Sequence, residues 1–181
     1  MVWVILGVAA LGALYLVVTY NGFVRMRNRI ESAWAQIDVQ LQRRYDLIPN
    51  LVETVKGYAE HEKGVFQAVT EARSRAMGAT GVAQQAEAEN FVTTALKSLF
   101  AVAEAYPELK ANENFLALQE ELSGTEGKIA YARQYFNDAI QSYNTKVQSF
   151  PSRLVAGVFR FAEREYFEAD ATSRGPVQVQ F

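Results

Sequence analysis

The chain has one histidine, His61, and no cysteine among 181 residues. His61-Glu62-Lys63-Gly64-Val65 lacks the second histidine four residues on that a helical zinc-protease site requires. Without cysteine there are no disulfides, thiolate metal sites, iron–sulfur ligands or thiol nucleophiles. A di-metal carboxylate bundle needs Glu-x-x-His on two helices, which one histidine cannot supply. Carboxylate pairs such as Glu120 with Glu121 and Glu163 with Glu165 stand where helices solvate themselves. The glycines are scattered, and no Gly-Lys-Ser/Thr unit forms a phosphate loop. These counts predict no catalytic residues, no cofactor and no metal site.

Two charged residues have unusual positions. From Phe23 onward, apolar residues recur in two interleaved seven-residue series: Phe23, Ile30, Ile37, Leu51, Tyr58, Val65 and Ala72, and Trp34, Leu41, Ile48, Val55, Val69 and Ala76. Arg44 interrupts the first series and Glu62 the second. A charge on a core stripe is too costly to bury alone, so each requires a partner or water. Arg44 is expected either to pair with an acid on a neighbouring helix, Glu121 or Glu126, and fix register, or to mark a partner site. With Arg43, Asp46, Pro49 and Asn50, these two residues form the candidate structural or partner-contact set.

The elements that position them read as helices. The double stripe is that of one long packed helix. Pro49 removes the amide that would bond to the Tyr45 carbonyl, so a kink or break is expected near Arg44 to Ile48, and the unbroken phase favours a kink. Met77 to Gly81 reads as the first connection. A second helix, with Val92, Ala95, Leu96, Leu99, Val102, Ala103 and Tyr106, ends at Pro107. Asn112 caps a third, whose series Phe115, Leu122, Ile129, Phe136, Tyr143 and Phe150 runs to Pro151. Ser152 to Phe167 reads as a short fourth helix. It either closes the core or touches a bilayer or another subunit through Leu154, Val158, Phe159 and Phe161. After Asp170 a polar tail leads to Val177 to Phe181, which alternates like a strand edge. The predicted class is all-α, an antiparallel four-helix-bundle-like domain over 21–170 with a tail over 171–181.

Residues 1–20 carry no charged side chain. Roughly 20 residues at about 1.5 Å each span about 30 Å of hydrocarbon, so this segment is a transmembrane anchor. Its membrane-facing residues include Val2, Trp3, Leu6, Leu11, Leu14, Val18 and Tyr20. No basic residue precedes it and no small-residue cleavage site follows, which favours an anchor over a cleaved signal. Between Asn21 and Tyr45 stand five arginines, at 25, 27, 29, 43 and 44, against Glu31 and Asp38. That excess predicts the N-terminus outside and the helical domain cytoplasmic, unless the arginines only solvate a helix face. Net charge is −2, so no nucleic-acid partner is expected.

The run Ala33-Trp34-Ala35-Gln36-Ile37-Asp38-Val39-Gln40-Leu41-Gln42-Arg43-Arg44-Tyr45-Asp46-Leu47-Ile48-Pro49-Asn50-Leu51-Val52-Glu53 resembles the signature of the LemA family. Later blocks, Tyr106-Pro107-Glu108-Leu109-Lys110, Thr125-Glu126, Phe136-Asn137, Tyr143-Asn144 and Phe150-Pro151, resemble that family too. Gly127 stands where an asparagine is expected, and Gln42 where a lysine is usual. The resemblance implies a bacterial inner-membrane protein with an N-terminal anchor and a helical bundle. It carries no catalytic activity, cofactor or substrate onto any residue, and implies only a contextual link to membrane proteases. The expected role is a membrane-anchored, non-enzymatic scaffold or adaptor, working as a homo-oligomer or through a membrane protease or other membrane protein. The alternative is a higher-order coat that shapes the membrane.

Overall fold

A computed structural model of the chain describes residues 1–167, so the alternating segment 177–181 and the tail 171–181 lie outside the described residues. Among the described residues six helices follow one another: α1 (Val2–Lys56), α2 (Lys63–Met77), α3 (Val82–Glu104), α4 (Pro107–Lys110), α5 (Glu113–Gln148) and α6 (Ser152–Val158). No strand occurs among the described residues, and the class is all-α. Two compact units emerge, one of Met1–Gln36 with Ala132–Tyr166, the other built on Ile37–Tyr131.

In the first unit, α1 leaves Val2 to Val18 exposed and buries Thr19, Gly22 and Phe23. Phe23 is the first residue of the apolar stripe, and its ring stacks on Phe161 with centroids 4.7 Å apart and meets Tyr143 edge-on at 5.9 Å. Further along α1, Arg29 Nε donates to the Tyr135 hydroxyl at 3.1 Å. Rising numbers on α1 thus meet falling numbers on α5, an antiparallel pairing within this unit.

The end of α6 explains how Phe161 reaches that core. The Phe161 amide donates to the Ala156 carbonyl at 2.9 Å and the Arg160 amide to Gly157 at 3.4 Å. Arg160 itself takes φ 56°. This is the Schellman arrangement, whose left-handed residue turns the chain sharply and brings the next side chain back onto the helix. The helix therefore stops at Val158, and 159–167 are not helical, which shortens the fourth helix expected over Ser152 to Phe167. Beyond it, the Asn144 side chain grips the Arg164 backbone, accepting from its amide and donating to its carbonyl, both at 2.9 Å.

In the second unit, α2 and α3 form a hairpin across Gly78 to Gly81. Gly81, at φ 84°, adopts a conformation open mainly to glycine. The expectation that Met77 to Gly81 is the first connection is corrected: α1 ends at Lys56 and α2 starts at Lys63. Successive tight turns join them, with Ala59 N–H to Val55 C=O, Glu62 N–H to Ala59 C=O and Val65 N–H to Glu62 C=O, each 3.0 Å. The seven-residue pattern hid this break because Val55 and Val69, on either side of it, are both buried in phase.

Pro49 lies inside α1, with helix on both sides. The carbonyl it orphans, that of Tyr45, accepts a hydrogen bond from Arg73 Nε on α2 at 2.7 Å. A part-buried carbonyl left without a donor costs about 1–3 kcal/mol. Replacing Arg73 with Met is expected to lower stability by about that much. In a Pro49→Ala background, where residue 49 regains an amide for the same carbonyl, the loss should shrink. A double-mutant cycle of urea midpoints in detergent tests this, and equal losses in both backgrounds would refute the substitution of one donor for another.

Candidate functional site

The largest fully buried side chain among the described residues is that of Arg44. Nη1 donates to Glu89 Oε2 on α3 at 2.8 Å. Nη2 donates to Thr93 Oγ1 at 2.9 Å and pairs with Glu126 Oε1 on α5 at 2.8 Å. Glu89 is as deeply buried as Arg44, whereas Glu126 is 43% exposed, so one carboxylate neutralises the guanidinium in the interior and the other leads toward solvent. Buried ionic hydrogen bonds of this type are short and strong only when nearly every donor is matched.

Tyr45 extends the cluster. Its hydroxyl donates to Glu89 Oε1, and Gln85 Nε2 donates to that hydroxyl at 2.8 Å. Burial, and then the hydrogen bond to Glu89 and the carboxylate charge, push the phenol well above its ordinary 10.0, against the opposing pull of Arg44 and Gln85. The hydroxyl is accordingly held protonated. It acts as a fixed donor to Glu89 and has no role as a base at neutral pH.

The other candidates are distributed differently. Arg43 is half exposed and bonds to Glu121 Oε1 at 2.6 Å, so each arginine of the pair selects its own glutamate on α5. Asp46 is exposed and accepts from Gln42 Nε2 at 2.8 Å. Pro49 and Asn50 are exposed. Glu62 is half-buried at the N-cap position of α2, where its carbonyl, not its side chain, accepts the Val65 amide. His61 is exposed, and no group of three or more His, Asp and Glu side chains converges among the described residues. An open groove of about 360 Å³ borders the arginine, lined by Arg44, Thr93, Leu96, Lys97, Phe100, Gln119, Leu122, Ser123 and Glu126.

Sequence reasoning missed Glu89. The signal was present, because Gln85, Glu89, Val92, Leu96, Leu99 and Ala103 share one helical face and all are buried. An acid in phase with that stripe requires a buried cation, and Arg44 is the one interrupting the facing stripe.

Near the N-terminus, Val2, Trp3, Leu6, Leu11, Leu14, Val18 and Tyr20 are all exposed. Among the described residues only α1 is long and apolar enough to cross a membrane, with mean hydropathy 2.4 over its most apolar stretch. An exposed apolar helix of this length fits a membrane protein. Of the aromatic C-terminal candidates, Leu154, Val158 and Phe159 are exposed, while Phe161 is buried against Phe23.

A sequence model of the LemA family matches residues 33–181. The chain belongs to the LemA family. Magnetosome protein MamQ 2 of Paramagnetospirillum magneticum is 26% identical over 188 aligned residues, covering 90% of this chain and 69% of that protein. MamQ of Magnetospirillum gryphiswaldense is 24% identical with the same coverage. Protein LemA of Metamycoplasma hominis is 24% identical over 163 residues, covering 88% of this chain and 73% of that protein. The matched family segment contains Arg44, Tyr45 and Glu89 together with the whole aromatic C-terminal segment.

Removing one partner of a buried ion pair destabilises far more than removing one at the surface. Arg44→Met is expected to cost roughly 3–5 kcal/mol by leaving Glu89 buried and unneutralised. Arg43→Ala, at a pair half exposed on both sides, should cost at most about 1 kcal/mol. Urea unfolding in detergent micelles measures both, and equal costs would remove the case for a buried ionic node.

Because the folded chain holds the Tyr45 proton more tightly than the unfolded one, that contribution to stability is complete below pH 10 and drains away as pH rises above it. Tyr45→Phe should therefore lower stability at neutral pH and flatten the alkaline decline. Melting temperatures measured from neutral pH into the alkaline range give the test; an unchanged alkaline slope would count against it.

Proposed function

We propose that this LemA-family protein is a membrane-anchored, non-enzymatic scaffold that works by self-association or by presenting a helical surface to other membrane proteins. The observation that carries this reading is the continuity of α1. The exposed apolar stretch from Val2 to Val18 runs into the packed stripe at Phe23 and Ile30 without a linker. A helical junction fixes the height and rotation of the attached body, whereas a flexible linker would leave it free to tumble. Fixed presentation suits contact between proteins at one membrane level.

The exposed face of α1 supports the same reading. Val39, at 63% exposure, shares one face with Arg43, Asp46 and Asn50 at three- and four-residue intervals. An apolar residue set among charges on a helical face is the composition of an interface rim and centre. Two of its relatives are named magnetosome proteins. The five arginines beyond the anchor support a cytoplasmic helical body in the inner membrane, with the N-terminus outside.

The cysteine-free sequence makes both parts testable with single substitutions. A cysteine replacing exposed Gln134 should resist a membrane-impermeant maleimide on intact spheroplasts and react once the membrane is opened. Labelling on intact spheroplasts would reverse the orientation. A photo-crosslinking residue at position 39 should give a discrete adduct in native membranes, with a second copy or with another membrane protein. A chain that remains uncrosslinked there, and monomeric after mild solubilisation, would end the scaffold reading.

A further inference from the structure

The C-terminal aromatic segment stands beside the point where the anchor stops being bare. Every residue from Val2 to Val18 is exposed, and Thr19 is the first to be covered. Beside it, the Tyr20 ring meets the chain beyond α6, its centroid 4.8 Å from that of Phe159 and 5.6 Å from that of Phe161. While Phe161 turns inward, the outer side of the same segment carries Phe150 at 82% exposure, Leu154 at 62%, Val158 at 73% and Phe159 at 47%. Ser152, Val155 and Ala156 take the inner side, so α6 is a two-faced helix with an apolar outer face. Water gains nothing from that face.

We infer that α6 and its flanking phenylalanines form a membrane-seated collar around the base of the anchor, with Phe150, Leu154, Val158 and Phe159 entering the headgroup and upper acyl region of the same leaflet. Two observations select a bilayer as the occupant. First, the patch is continuous with the anchor through Tyr20, so an anchored chain cannot hold it far from lipid. Second, the charged side chains from Phe150 to Ala162 are Arg153 and Arg160, both exposed, with no acid among them. Exposed apolar residues with interleaved cations are the composition of a helix lying in an interface, where the cations meet anionic headgroups.

The collar rests on the anchoring part of the reading above and does not depend on the scaffold part. The test uses the full chain reconstituted in vesicles of phosphatidylcholine and phosphatidylglycerol, with the native Trp3 and Trp34 as handles. Trp34→Phe leaves Trp3 as a reporter of the anchor. In a background of Trp3→Phe and Trp34→Phe, the reporters are Val158→Trp, with Leu154→Trp as a second if the first misfolds, and Gln134→Trp as an exposed control on α5. Acyl-chain-brominated lipids should quench Trp3 and the residue 158 reporter strongly, and acrylamide should quench each of those weakly. The Gln134→Trp control should show the reverse, with lipid quenching lower by about twofold or more.

If Trp3 is quenched by lipid and the position 158 reporter responds only to acrylamide, the anchor stands and the collar is wrong. A position 158 reporter shielded from both quenchers would mean that a protein surface covers the patch, which also overturns the collar. Failure of lipid to quench Trp3 would remove anchor and collar together.

Discussion

A guanidinium cannot be withdrawn from water unless nearby groups replace its hydration, and Arg44 is completely withdrawn. That requirement specifies where four helices of the second unit must lie. Glu89 and Thr93 on α3 have to face Nη1 and Nη2, and Glu126 on α5 has to close the solvent side. Tyr45, one residue along α1, then uses the second oxygen of Glu89, and Gln85 uses Tyr45. The carbonyl of that tyrosine is the one Pro49 strips of its amide, and it fixes Arg73 on α2. Sliding any of these helices by one turn, about 5.4 Å, would expose a buried charge to an apolar neighbour. Replacing such a node with well-packed apolar residues is often neutral or stabilising, so its contribution is to register more than to net stability.

The proline makes sense only within that node. In an isolated helix, Pro49 would cost about 3 kcal/mol through its missing amide and its ring. Here the orphan carbonyl has a charged donor from another helix, and the apolar stripe keeps its phase through Ile48, Leu51, Val52 and Val55, all buried. A local rule is broken at one residue, and the tertiary contact that compensates comes from a residue 28 positions away. Local propensity and long-range packing are thus coupled at Tyr45, which carries both the carbonyl and the hydroxyl contacts.

Much of this is legible in the sequence. The heptad stripes give the helical class and most of the buried apolar positions of α1, missing Ala33, Tyr45 and Val52, since a seven-residue recurrence has no other common origin in a chain this polar on its opposite face. Arg44 is visible as an interruption that demands an acid. What periodicity cannot show is a connection that preserves phase. Six residues of tight turn between Lys56 and Lys63 return the chain to the same face, and α1 and α2 read as one helix. Nor does a stripe choose among acids: Glu121 and Glu126 are both eligible, the structure gives the first to Arg43 and the second to Arg44, and the deepest partner, Glu89, lies on a helix whose apolar pattern is complete without it. The stop of α6 at Val158 was hidden for a different reason. It is made by a left-handed arginine at position 160, where glycine would have been the readable signal.

The first unit obeys the opposite constraint. Its anchor carries no charged side chain, and the residues from Val2 stay bare until Thr19. A helix that enters a bilayer has to pass from hydrocarbon through headgroups to water. Tyr20 suits such a boundary because its ring is apolar and its hydroxyl is not. Phe23, one turn later, is wholly buried under Phe161 and Tyr143, so from there the chain's own aromatic side chains cover this face of α1. The helix runs unbroken through Thr19 to Phe23 although that stretch contains β-branched, aromatic and glycine residues that isolated helices tolerate poorly, and the tertiary contact that supports it there is the packing of Phe23 on Phe161, delivered by the turn at Arg160.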